Sequence, residues 1–194
     1  MKALNIGVLA LQGDFIEHVH ILQALGVNTK QVRLPRDLAD LKGLIIPGGE
    51  STTIGKMAAT YDLIAPLQAF GQVHAIWGTC AGAIFLSKDA QREQPLLGLM
   101  DITVERNAFG RQVDSFETDV TAPFLENGRE IPYHAVFIRA PIISTVSGAA
   151  HTLLSLPDGR IIAARQGRLL ATSFHPELTA DTRFHQYFLE IVKS

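Results

Sequence analysis

Two short stretches hold residue types that together could break an amide bond. Gly78-Thr79-Cys80-Ala81-Gly82 sets the only cysteine of the chain between glycines, and Ser173-Phe174-His175-Pro176-Glu177-Leu178 places a histidine two residues before a carboxylate. The first has the form of a nucleophile elbow with cysteine in the serine position. Such a turn holds its central residue in a strained backbone conformation, and its neighbours must be small because strand and helix approach closely there. A helix starting at Ala81 would aim free N–H groups and its positive dipole end at the sulfur. The ordinary structural alternative is a buried cysteine that packs as a small hydrophobe.

A thiolate nucleophile needs a base, and the base needs an orienting group. In an extended segment residues two apart point to one side, which lets Glu177 reach beside His175. Pro176 disfavours helix at His175 and fixes its own φ. The competing view is an exposed His-Pro turn followed by a helix-start glutamate. A third stretch, Ile45-Ile46-Pro47-Gly48-Gly49-Glu50-Ser51-Thr52, supplies paired glycines that free the backbone to turn an N–H inward. Acyl transfer needs such donors for a developing oxyanion, and the Gly49 and Ala81 N–H groups are the candidates. A phosphate loop fails on spacing, since Gly49 and Gly55 are six positions apart and Met57 stands where Ser or Thr is required. The plain alternative for this stretch is a strand-ending turn with a helix cap.

The elements around these stretches must bring them together. Leu4 to Leu11 reads as a buried strand, followed by a helix with Phe15, Val19, Leu22 and Leu25 at helical spacing, Asp14 as N-cap and Gly26 as C-cap. Short strands follow at 30–35, 43–49 and 73–78, with a helical region between the last two that runs to Phe70. Apolar strands alternating with helices imply an α/β fold whose parallel sheet is covered on both faces. The ends of parallel strands share the carboxyl edge where sites form, so the elbow and the His-Pro-Glu stretch can meet there. From Asp101 onward strand-like segments follow one another with little helix between them, so hairpins or a mixed sheet edge are expected. A helix with Phe184, Phe188 and Ile191 on one face closes the chain.

Composition narrows the function classes. The 194 residues are 47% apolar with a net charge of −2, enough for one sizeable core and a single domain over 1–194. No lysine or arginine run could track a phosphate backbone, so nucleic acid is not an expected partner. A lone cysteine forms no intramolecular disulfide, and no apolar run approaches a membrane span, so a soluble cytoplasmic protein is expected. His18 and His20 diverge on their helix and no histidine spacing suits zinc, so no metal is expected.

The elbow cysteine, the Gly-Gly strand end and the His-Pro-Glu stretch together resemble the class I glutamine amidotransferases. Within them, "LALQGDFIEH", "LIIPGGESTTI", "GTCAG", "VERNAFGRQVDSFE", "FIRAP" and "SFHPELT" are similar to the glutaminase subunits of pyridoxal 5′-phosphate synthase. The resemblance implies a three-layer, flavodoxin-like glutamine amidotransferase fold with a mostly parallel or mixed central sheet. It implies hydrolysis of L-glutamine to glutamate and ammonia by a Cys80, His175 and Glu177 triad, with no cofactor. Gly48, Gly49, Glu50, Arg106, Ile138 and Arg139 match positions that contact glutamine. Arg106 suits an α-carboxylate and Glu50 an α-ammonium; ordinary surface salt bridging is the alternative for Arg106 and Arg139. The implied partner is the barrel-shaped synthase subunit, whose docking activates the glutaminase.

Overall fold

The computed structural model describes residues 4–106 and 115–194. Its first half alternates as the sequence pattern requires. β1 (Asn5–Leu9), α1 (Phe15–Ala24), β2 (Asn28–Val32), β3 (Gly43–Ile46), α2 (Ser51–Thr60), α3 (Ile64–Val73), β4 (Ala75–Thr79) and α4 (Ala81–Leu86) follow in order. β1, β3 and β4 are buried almost throughout, which explains their unbroken apolar runs. Gly26, at φ 75°, turns the chain out of α1 toward β2. β2 sits slightly earlier than the 30–35 segment, because its register is set by pairing with β1 from Asn5↔Asn28 to Leu9↔Val32.

The second half is strand-rich. β5 (Ser87–Asp89), β6 (Met100–Glu105), β7 (Ser115–Val120), β8 (Tyr133–Ile138), β9 (Ile142–Val146), β10 (His151–Ser155), β11 (Ile161–Gln166) and β12 (Leu169–Thr172) lead to α5 (Arg183–Lys193). The main sheet has the order β2-β1-β3-β4-β12-β11-β9-β6-β5, with β10 beside β11, and β7-β8 forms a separate antiparallel ribbon. β2 through β12 run parallel, and the β12-β11-β9-β6 part is antiparallel. The fold is therefore a mixed α/β sheet flanked by helices.

Two apolar layers cover the sheet. Leu44, Ile46 and Ile76 pack with Ile54, Leu67, Phe70 and Phe85 of α2 to α4, while Ile45 and Trp77 pack with Leu22 of α1, Phe184 and Phe188 of α5, and Phe137 of the ribbon. Alternation along β3 and β4 divides the residues between the layers. No helix among the described residues is long and apolar enough to cross a membrane.

Candidate active site

Adjacent parallel strands end at one edge. β3, β4 and β12 lie side by side with Ile46↔Gly78 and Thr172↔Thr79 in register. The residues just beyond those ends are Gly48-Gly49-Glu50, Cys80 and His175, so three distant stretches converge without any long reach. The Cys80 N–H donates to the Thr172 carbonyl at 2.8 Å, and the His175 N–H to the Val136 carbonyl at 2.8 Å. These bonds tie the elbow to β12 and the histidine to the β7-β8 ribbon.

Cys80 has φ 47° and ψ −108°, a conformation an L side chain rarely adopts. Close packing explains its small neighbours. A Cβ on Gly78 would strike the Gly82 and Ala83 backbone, and one on Gly82 would strike the Ile46 carbonyl. Beyond the turn, α4 presents its N-terminal end behind the sulfur.

The His175 imidazole is hydrogen-bonded through Nδ1 to Glu177 Oε1 at 2.6 Å, and Cys80 is its other polar neighbour. All three residues are buried. Burial acts to discharge the ring, yet the Cys80 and Glu177 partners outweigh it and push the His175 pKa up to about 10. Burial pushes the Glu177 carboxyl up, while the hydrogen bond from His175 pulls it down. The proton of the His175–Glu177 pair rests on the imidazole, which Cys80 and Glu177 hold charged against the effect of burial. The two residues are not in an extended strand as their spacing suggests. Pro176–Leu178 is a short 3-10 turn, which Pro176 opens, and the turn rather than a pleat folds Glu177 back onto the ring.

A cavity of about 470 Å³ opens over the cysteine and is lined by Gly49, Glu50, Cys80, Ala81, Arg106, Ile138, Arg139 and His175, with Gln12, Gly13, Asp14, Ser51, Ile84 and Pro141. Of the expected residues, Gly48 and Glu177 stand behind this lining. Gly48 backs the His175 ring, and Glu177 lies beneath it. Arg139 is a second lining residue with strained backbone, at φ 43°. Glu50 and Arg106 face each other across the cavity wall, with Oε1 2.9 Å from Nη2. Glu50 also caps α2, accepting from the Thr53 N–H at 2.7 Å and the Thr53 hydroxyl at 2.9 Å. Burial opposes its ionisation, but these donors and Arg106 together outweigh it and lower its pKa to about 2. The Gly-Gly stretch is thus a strand-ending turn, a helix cap and a cavity wall at once.

Gln12 and Asp14, the latter expected as a helix cap, also shape the site. Gln12 Oε1 accepts from the Glu50 N–H at 2.7 Å, and the Asp14 N–H donates to the Gly48 carbonyl at 3.3 Å. Asp14 occupies the N-cap position of α1 without a side-chain cap bond; its Oδ2 lies 3.7 Å from His175 Nδ1 instead. Asp14, His175 and Glu177 bring ligand-type atoms within 4.8 Å of one another. His175 Nδ1 and Glu177 Oε1 are already bonded to each other, however, so the arrangement serves the imidazole rather than a cation. Residues 107–114, within the "VERNAFGRQVDSFE" stretch, lie outside the described residues.

The chain is similar to known proteins over nearly its whole length. The model of the SNO glutamine amidotransferase family matches residues 8–194. A protein of Herpetosiphon aurantiacus named pyridoxal 5′-phosphate synthase subunit PdxT is 61% identical over 191 residues, covering 96% of this chain and 99% of its own. The PdxT of Chloroflexus aurantiacus is 52% identical over 193 residues, covering 97% and 100%. A crystal structure described as a glutamine amidotransferase superposes with a TM-score of 0.90 at 48% identity, covering 97% of this chain and 99% of that one. PurLQS from Thermotoga maritima, at 17% identity, TM-score 0.75 and coverage of 98% and 99%, shares the fold. A family match over nearly the whole length, with relatives above half identity, places the chain in the SNO glutamine amidotransferase family.

Proposed function

We propose that Cys80, His175 and Glu177 are the catalytic triad of this glutaminase and that the cavity above them seats L-glutamine. The chain hydrolyses L-glutamine to glutamate and ammonia as the ammonia-donating subunit of pyridoxal 5′-phosphate synthase, in vitamin B6 biosynthesis. The observation that carries the triad is the meeting of Cys80, His175 and the Glu177 bonded to it at a cavity whose wall includes the paired Glu50 carboxylate and Arg106 guanidinium.

Cys80 thiolate attacks the side-chain amide carbon, and the oxyanion is received by the Gly49 and Ala81 N–H groups. His175, resting as the charged acid, gives its proton to the departing nitrogen, so ammonia leaves and a glutamyl thioester remains on Cys80. Water then attacks the thioester while His175 takes its proton, and the thiolate departs with glutamate freed. Glu177 keeps the ring oriented and offsets its charge throughout. Glu50, Arg106, Ile138 and Arg139, with Gly48 behind them, hold the substrate. The charged amino-acid end replaces part of the Glu50–Arg106 bridge with its own ammonium and carboxylate.

Ammonia is useful only when an acceptor is near, and the partner proposed is the barrel-shaped synthase subunit. Docking would occur at the cavity mouth, where exposed Ile138 sits beside the site. The Gly48-Gly49 peptide, held by Asp14 and next to the Gln12-anchored Glu50, is the element that docking would turn to complete the oxyanion hole. The test is glutamate release from L-glutamine with and without that synthase subunit, using Cys80→Ala as blank. Strong stimulation that vanishes in the variant is expected. Full activity without a partner, or stimulation only by a purine or histidine synthase, would overturn the pairing; no turnover under any condition would overturn the triad.

A further inference from the structure

Behind Glu177 lies a pair of histidines for which the triad chemistry has no task. His18 of α1 and His185 of α5 are both fully buried. His18 Nδ1 is 2.9 Å from His185 Nε2, and His18 Nε2 is 3.3 Å from Glu177 Oε2 and 3.4 Å from Thr79 Oγ1. The Trp77 ring packs edge-on against both imidazoles, with centroids 5.8 Å and 5.0 Å away. Glu177 Oε2 has no hydrogen-bond partner of standard geometry among the described residues, so His18 is the polar group that faces it.

The proton positions follow from what each atom can do. An ionised Glu177 offers only lone pairs, so the 3.3 Å approach is attractive only if His18 Nε2 carries a hydrogen. A neutral His18 then has a bare Nδ1, which must accept from His185 Nε2–H. His185 Nδ1 is left bare, and that atom is buried with no partner among the described residues. The opposite order would aim two acceptors at each other across 3.3 Å and bury an N–H of His185 without an acceptor. Burial lowers the pKa of both rings, that of His185 to about 3, so the pair stays uncharged. The ionisable groups around His18 are Glu177 and His175 on the β12 side and His185 on α5, with Asp14 nearer to His175.

We propose that His18, anchored by His185 and Thr79, is a positioning residue whose protonated Nε2 edge lies against the second oxygen of Glu177 and so keeps Oε1 on His175. This rests on the triad reading above. A neutral donor suits the task, because a charged one would draw the carboxylate away from the imidazolium that it must stabilise. Holding one oxygen keeps the other on His175 Nδ1 as the charge of the ring comes and goes.

The experiment compares native protein, His18→Leu, His18→Gln, His185→Leu, His185→Gln and His18→Leu/His185→Leu. Glutaminase activity is measured in complex with the synthase subunit, and the His175 titration is followed by NMR in the free chain. Glutamine places an N–H near the lost Nε2–H, so it serves as the conservative rescue. The expected result for His18→Leu is a kcat lowered about tenfold or more, as for loss of a hydrogen bond to a charged group, with KM little changed. The His175 titration midpoint falls in the same variant. His18→Gln recovers most of both, His185→Leu shows a smaller loss that His185→Gln repairs, and the double variant is no worse than His18→Leu. A fall in melting temperature alone, with kcat and the His175 midpoint native in His18→Leu or, should that fail to fold, in His185→Leu, overturns the proposal. Cys80→Ala separates the two readings: activity surviving in Cys80→Ala sinks the triad, whereas a dead Cys80→Ala beside an unaffected His18→Leu sinks the positioning pair alone.

Discussion

Gly48 lies so close against His175 that a Cβ added to it would sit 2.6 Å from the imidazole Cε1 and 3.1 Å from Nδ1. The backbone of the Gly-Gly stretch is therefore the wall that keeps the ring over Cys80. Gly48→Ala should displace the ring rather than unfold the chain. Activity with the synthase subunit is expected to fall about 100-fold, the cost of misplacing a reacting group by about 1 Å. Circular dichroism and thermal melting should remain near native; a native-like kcat in Gly48→Ala would contradict the contact.

The raised His175 pKa has a definite sign for stability. A group whose folded value lies above its ordinary 6.5 stabilises the fold fully below 6.5, and loses that contribution as pH rises through about 10. Cys80 is one of the two partners that hold the charge. Replacing it with alanine should lower the midpoint of the His175 titration by NMR and bring the loss of stability to lower pH. An unchanged midpoint would mean that Glu177 alone sets it.

Glu50 joins two functions, so Glu50→Ala should have two separable effects. Loss of the Thr53 cap should cost about 1 kcal/mol of stability, read from urea unfolding. Its side chain is 44% exposed, so screening leaves the Arg106 bridge a minor share of that figure. Because the Glu50 pKa is depressed, the contribution is present above its ordinary 4.5 and disappears as pH falls through about 2. Releasing Arg106 should also raise the KM for glutamine, about tenfold, in the assay with the synthase subunit. A KM unchanged in Glu50→Ala would place the amino-acid end of the substrate elsewhere.

Gly82→Ala tests the elbow by a different route. The added methyl would press on the Ile46 carbonyl of the neighbouring strand, and backbone cannot yield as a flexible side chain can. A stability loss of roughly 1–3 kcal/mol is expected from such overpacking, together with lost activity as Cys80 moves. Native stability would show that α4 can slide away from β3.

The sequence carried the chemistry because that chemistry is local. An elbow needs small residues around Cys80, a Gly-Gly pair must follow a buried strand, and His175-Pro176-Glu177 sits within three residues; each pattern is visible without knowing where the chain goes. The parallel half was legible for the same reason, since buried strands and amphipathic helices alternate with strong punctuation. β9 and β10 were not, because their exposed positions and β10's irregular pairing with β11 break the period-two pattern that marks a strand.

What the sequence could not supply is the partner of each charged or polar group. Helical spacing sets His18 apart from His20 and says nothing of His185, 167 residues away, with which it shares a 2.9 Å contact. Glu50 and Arg106 each suit one end of an amino acid, yet only the fold pairs them with each other. Residue type and spacing determined what this protein can do to an amide. Strand order decided which groups meet, because hydrogen bonds act over about 3 Å and only the register of β3, β4 and β12 brings their ends within that range.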